Sequence, residues 1–88
     1  MANIQSAIKR ARQNTKRNAR NTRVRTRMRT FVKRAQLAVG EGDRDAANEA
    51  VRLAVREIDK AAQKGVIHRN QAARRKSRLM RRYNAMPQ

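Results

Sequence analysis

The span from Ile4 to Val39 constrains this chain more than any other part. It contains twelve Lys or Arg and no Asp or Glu, and the whole chain has only three Gly and one Pro. With no β-branched run to favour a strand, the span reads as one long helix. At about 100° per residue, Lys9, Arg12, Lys16, Arg20, Arg23, Arg27 and Arg34 fall on one narrow side of it. At ~1.5 Å per residue that row is ~37 Å long. Like charges at helical neighbour spacing repel, so a monomer in water gains nothing from aligning them. A polyanion lying along the row would turn the repulsion into attraction.

The apolar residues of the same span divide it in two. Val24, Met28, Phe31, Val32, Ala35, Ala38 and Val39 share one arc, the pattern of a helix packed on a core. Continued towards the N-terminus, that arc meets Asn21, Arg20, Arg17, Gln13 and Arg10, so the core stripe is expected to stop at about Val24. Ile4, Ala7, Ile8 and Ala11 form a separate group turned by roughly 130° on the wheel. The C-terminal half can dock on a bundle, and the N-terminal half, with Arg10 and Arg17 as further candidate contacts, is expected to project. Asn3, or alternatively Ser6, is the expected N-cap. No acid follows in the first turn, which leaves the first amides free for water or for an external anion such as a phosphate.

Net charge is +18 over 88 residues, the size of one small domain carrying far more charge than ordinary soluble enzymes. Such a charge points to a polyanionic partner. With no Cys, there is no disulfide framework and no thiolate metal site. No apolar run approaches the ~20 residues of a membrane span, and no secretory segment follows Met1; a cytoplasmic location is expected. One Phe and one Tyr argue against a base-stacking platform.

Residues 41–64 hold all six acids, and residues 65–88 hold none. This plus, neutral, plus pattern suggests that the first and third segments face the partner while the second faces away. Gly40 is the expected left-handed end of helix one and Asp43 the N-cap of helix two, which should run over about 44–63. Its inner arc is Ala47, Ala50, Val51, Ala54, Ile58, Ala61 and Ala62. Glu49–Arg52 and Glu57–Lys60 are expected as i,i+3 pairs on its solvent side. Gly65 ends helix two, and Val66 and Ile67 form an apolar link that tucks under the bundle. Helix three should cover about 68–85, with Ala72, Ala73, Leu79, Met80, Tyr83 and Met86 inward and Lys76 snorkelling outward. Arg74, Arg75, Arg78, Arg81 and Arg82 take its opposite side. The architecture expected is all-α: a single domain over residues 1–88, a three-helix bundle with an extended, projecting basic first helix spanning about 4–39.

No catalytic constellation is present. His68 is the only His, so no His pair can hold a metal. It reads either as a helix-start residue making a hydrogen bond or as an RNA contact beside Arg69 and Asn70, and those neighbours favour the contact. A membrane-surface helix needs a bulky apolar face opposite its charges; residues 4–23 supply mainly Ile4 and Ile8. A DNA-compacting protein fits the charge, but no β-ribbon arm, wedge residue or heptad seam is visible. A structural RNA binder that uses phosphate contacts and little base readout fits best.

Met1-Ala2-Asn3-Ile4-Gln5-Ser6-Ala7, Arg29-Thr30-Phe31-Val32-Lys33, Gly42-Asp43 and the run from Lys64 through Gly65-Val66-Ile67-His68-Arg69-Asn70-Gln71-Ala72-Ala73-Arg74-Arg75-Lys76-Ser77-Arg78-Leu79 resemble the bacterial small-subunit ribosomal protein S20 family. The likeness spans essentially the whole chain, and Gly65 to Leu79 is its most specific part. It implies a non-enzymatic, ribosome-bound constituent of the 30S subunit. Such a protein binds 16S rRNA directly and early in assembly, at the 5′ domain and the long helix near the 3′ end. It needs no cofactor, metal or small-molecule substrate. The chain uses eighteen Arg against six Lys where many relatives use Lys. Arg81-Arg82-Tyr83-Asn84-Ala85-Met86 matches no family pattern.

Overall fold

Three helices account for almost all of the backbone in the computed structural model, which describes residues 2–87, with side chains from Ile4 onward. They are α1 (Ala2–Glu41), α2 (Arg44–Gln63) and α3 (Arg69–Asn84), with no strand among the described residues. Helix α1 starts before the expected caps: Asn3 and Ser6 both lie inside it. The side chain of Asn3 falls outside the described residues.

Helix α1 also continues through Gly40 to Glu41, and the left-handed residue is Gly42, with φ +82°. Gly40 therefore sits in the last helical turn instead of ending it. Asp43 caps α2 as expected, accepting from the amides of Asp45 at 3.1 Å and Ala46 at 3.2 Å. At the far end of α2, Lys64 is the C-cap and Gly65 takes φ +76°. The Gly65 amide donates to Ala62 O and the Val66 amide to Ala61 O, at 3.0 and 2.9 Å. That pairing is a Schellman motif. It turns the chain so that Val66 and Ile67 are buried under the helices. His68 then caps α3: its Nδ1 accepts from the Asn70 amide at 3.1 Å.

The core is small. Met28, Ala35, Val51, Ala54, Ile58, Ala61, Val66, Ile67, Ala72 and Leu79 form it, with Val24, Phe31, Val32 and Tyr83 half-buried at its edge. Alanines on facing helices let the backbones approach. Met80 and Ala73 are exposed, contrary to the inward positions expected from the helical wheel. A sixteen-residue helix packed on two neighbours through one narrow line of small residues cannot bury so wide an arc. The end of the chain is fastened back on α2. The Arg44 guanidinium lies 5.1 Å from the Tyr83 ring centroid and donates from Nη1 to Met86 O at 3.3 Å.

Residues 4–20 are exposed without exception, and partial burial begins at Asn21. The core therefore reaches one turn further than Val24, and α1 projects beyond it. The molecule measures 68 × 20 × 13 Å, with a radius of gyration of 17.8 Å. A compact chain of this length would have about 12 Å. Its accessible surface of 7097 Å² exceeds the roughly 5,300 Å² of a compact protein of equal mass. The excess is the uncovered rod.

Two outcomes follow for the free protein. Ile58→Ala should cost roughly 2–5 kcal/mol in urea unfolding, whereas Ile8→Ala should stay within about 0.5 kcal/mol. Amides of residues 5–20 should exchange with solvent much faster than those of Val51, Ile58 or Leu79; equal protection along α1 would contradict a rod without tertiary support.

Candidate nucleic-acid interface

The projecting half of α1 carries Lys9, Arg10, Arg12, Lys16, Arg17 and Arg20, all exposed. Ion pairs among the described residues are Arg27–Glu57, Lys60–Glu57 and Lys76–Asp59, so none of these six cations is neutralised within the chain. Arg, Lys, Gln and Ala favour helix, which lets the segment stay helical without a packing partner. The Thr15 hydroxyl turns inward along the helix and donates to Ala11 O at 2.9 Å. Arg23 is likewise exposed and extends the row to the edge of the bundle.

At Arg27 the row changes character. Arg27 Nε lies 3.2 Å from Glu57 Oε2, and Lys60 Nζ lies 3.8 Å from the other carboxylate oxygen. Glu57 is 7% exposed. The expected Glu57–Lys60 pair thus forms, but it sits at the α1–α2 junction and not on the solvent side of α2. Glu49 and Arg52 make no ion pair. Arg27 and Arg34 flank the Phe31 ring, with guanidinium carbons 5.2 and 5.3 Å from its centroid. Each such contact is worth about 0.5–1 kcal/mol at an exposed site. Within the bundle, then, these two members of the row are tied to α2 and to Phe31.

A second basic surface lies on the other flank of α1, where it meets α3. Thr26, Arg29, Thr30, Lys33 and Gln36 line one wall of a cleft, and Arg75 reaches into it from α3. The cleft continues along α3 past His68, Asn70, Gln71, Arg74 and Arg78, and past Leu79 and Arg82. No acid lines it. Arg75 borders all three stretches, and its Nε–H is buried with no hydrogen-bond partner. A buried donor left unpaired costs about 1–3 kcal/mol. Asn21 Oδ1, at the base of the rod, is a second buried atom without a partner.

Of the residues expected from sequence, the six rod cations and Arg23 share one exposed helix. Arg74, Arg75 and Arg78 share the cleft with His68 and Asn70. Arg69 is exposed at the start of α3 outside that lining. His68 carries the hydrogen-bonding role of a cap, with the rest of its ring exposed. Arg29 and Lys33 were not singled out by the row. Their signal is spacing: Arg25, Arg29 and Lys33 recur every four residues along the opposite edge of the apolar arc. Lys76 points outward as expected and finds Asp59 Oδ1 of α2 at 2.8 Å. No group of three or more His, Cys, Asp or Glu among the described residues could hold a metal ion.

Residues 2–84 match the family described as Ribosomal protein S20. The chain is 52% identical over 86 residues, 98% of its length and all of the relative's, to a protein of Exiguobacterium sp. named small ribosomal subunit protein bS20. It is 56% identical over 84 residues, 96% of each chain, to the protein of that name from Coprothermobacter proteolyticus. The Legionella pneumophila protein of the same name is 54% identical over 86 residues, 98% of each chain.

The two kinds of ion pair should behave differently in urea unfolding. Arg27→Gln takes the nearest cation from the buried Glu57 carboxylate and should cost about 1–3 kcal/mol. Lys76→Gln breaks a pair whose side chains are 36% and 54% exposed and should cost less than about 1 kcal/mol.

Proposed function

The chain belongs to the ribosomal protein S20 family, and from that membership we propose that it binds 16S rRNA directly through backbone phosphates and helps the small subunit assemble. Family membership makes it a structural ribosomal protein and not an enzyme. The contacts proposed are with the 5′ domain and with the long helix near the 3′ end, within cytoplasmic 30S particles. The observation that carries the reading is the rod: six exposed cations over residues 4–20 with no acid and no internal partner. Such a surface is poorly suited to a lipid bilayer, because Ile4 and Ile8 are its only large apolar side chains. It is well suited to a grooved polyanion, which a helix ~60 Å long can follow over several phosphates.

The contacting residues proposed on the rod are Lys9, Arg10, Arg12, Lys16, Arg17, Arg20 and Arg23. On α3 they are Arg69, Asn70, Arg74, Arg75 and Arg78, with the free edge of His68. Arg27 and Arg34 keep charge at the solvent edge, but each gives part of its geometry to the fold. Phosphate contacts release condensed counterions, so binding should weaken steeply with salt.

With about 6–10 phosphate contacts, affinity for a 16S rRNA transcript should fall on the order of 10³–10⁵-fold between 50 and 200 mM salt. Changing Arg12, Lys16 and Arg20 together to Gln should leave the melting temperature level or slightly higher, because self-repulsion falls. The same change should lower the salt slope by up to about three units. Affinity that barely responds to salt, or a triple variant that unfolds while binding normally, would overturn this reading. Co-sedimentation with 30S particles at physiological salt separates the proposal from a DNA-compacting role.

A further inference from the structure

We propose that the α1–α3 cleft holds one backbone phosphate of the bound RNA, gripped from both sides by Arg75 of α3 and Lys33 of α1. This rests on the rRNA-binding reading and adds a specific anchoring point that is separate from the rod. Three observations converge on it. The cleft is where cations from two helices face each other with no acid between them. The acids that could have entered are engaged elsewhere: Glu57 with Arg27 and Lys60, and Asp59 with Lys76. And Arg75 borders every stretch of the cleft with a guanidinium whose flat fork suits two oxygens of one phosphate.

The surroundings select a phosphate over a base. No aromatic ring lines the stretch between Lys33 and Arg75, so a base has no ring to stack on there. Its floor includes Val32 and, further along, Leu79, and an apolar floor strengthens a charged hydrogen bond above it. The depression is open, with a volume of about 440 Å³. It has room for a nucleotide's sugar and phosphate, not for a duplex. A phosphate here would sit between the Arg75 guanidinium and the Lys33 ammonium. It would also neutralise two facing cations and lock the angle of α3 against α1. The rod, by contrast, offers only exposed contacts from one helix.

The test is a double-mutant cycle on the full chain, binding a 16S rRNA transcript at fixed salt, with Arg75→Lys, Lys33→Gln and both together. Arg75→Lys keeps the charge and removes the fork. It should weaken binding about tenfold, the loss of one charge-assisted hydrogen bond. Lys33→Gln, at an exposed position that leaves the fold intact, should weaken binding and lower the salt slope by about one unit. If the two side chains grip one phosphate, the double variant should lose clearly less than the product of the single losses. Circular dichroism melts that match wild type assign the losses to the contact. Full additivity, or Lys33→Gln binding like wild type, overturns the shared phosphate. If that happens while the Arg12, Lys16 and Arg20 triple variant is still weakened, the rRNA-binding reading survives. A wild-type chain that does not bind the transcript overturns both.

Discussion

Helix α1 is longer than the helices available to cover it, and most of the molecule follows from that mismatch. It has forty residues, against twenty in α2 and sixteen in α3. Two short helices can bury one stripe of α1 only over its C-terminal half, from Asn21 to Val39. The remainder has no apolar neighbour and extends into solvent. A short isolated helix is marginal in water, so the rod depends on being continuous with a helix that is packed. The fold anchors α1 at one end and leaves the other end exposed.

Charge is apportioned by the same geometry. All six acids lie between Glu41 and Asp59, and three of them act at the junctions of the bundle. Asp43 caps α2, Glu57 draws Arg27 and Lys60 together, and Asp59 takes Lys76. These contacts hold α2 against both neighbours without reaching the rod or the cleft. The positive potential is therefore intact on the two surfaces that face away from α2. The Glu57 carboxylate is buried while its two cations stay largely exposed, so the loss of a cation would leave a buried charge under-compensated. Arg44 plays the corresponding part at the other end, stacking on Tyr83 and holding Met86.

The two basic surfaces differ in kind. Cations on the rod are exposed and make no ion pair among the described residues, and suit a run of phosphates whose spacing need not be fixed. The cleft sets Arg29 and Lys33 of α1 beside Arg75 of α3. A surface of the first kind supplies attraction and speed of encounter. A site of the second kind supplies geometry, because it can be filled only when α1 and α3 meet the same strand. On the proposed rRNA-binding reading, both surfaces meet a common polyanion.

The linear order of residues determined a good deal by itself. The acid-free span, the helical phase of Val24 to Val39 and the punctuation at Asp43 and Gly65 specify three helices and a rod, because capping, glycine conformation and 3.6-residue periodicity are local. Arg12, Lys16 and Arg20 could be placed on the rod for the same reason. Tertiary structure decided what depends on which helix lies on which flank. Helical phase places Arg27 and Arg29 on different sides of α1, but nothing local says that one side meets Glu57 of α2 and the other faces Arg75 of α3. Burial of Glu57, exposure of Met80 and the helical state of Gly40 were undecidable for the same reason. Each turns on how closely two helices approach, and that is set by alanines and a buried carboxylate far apart in the chain.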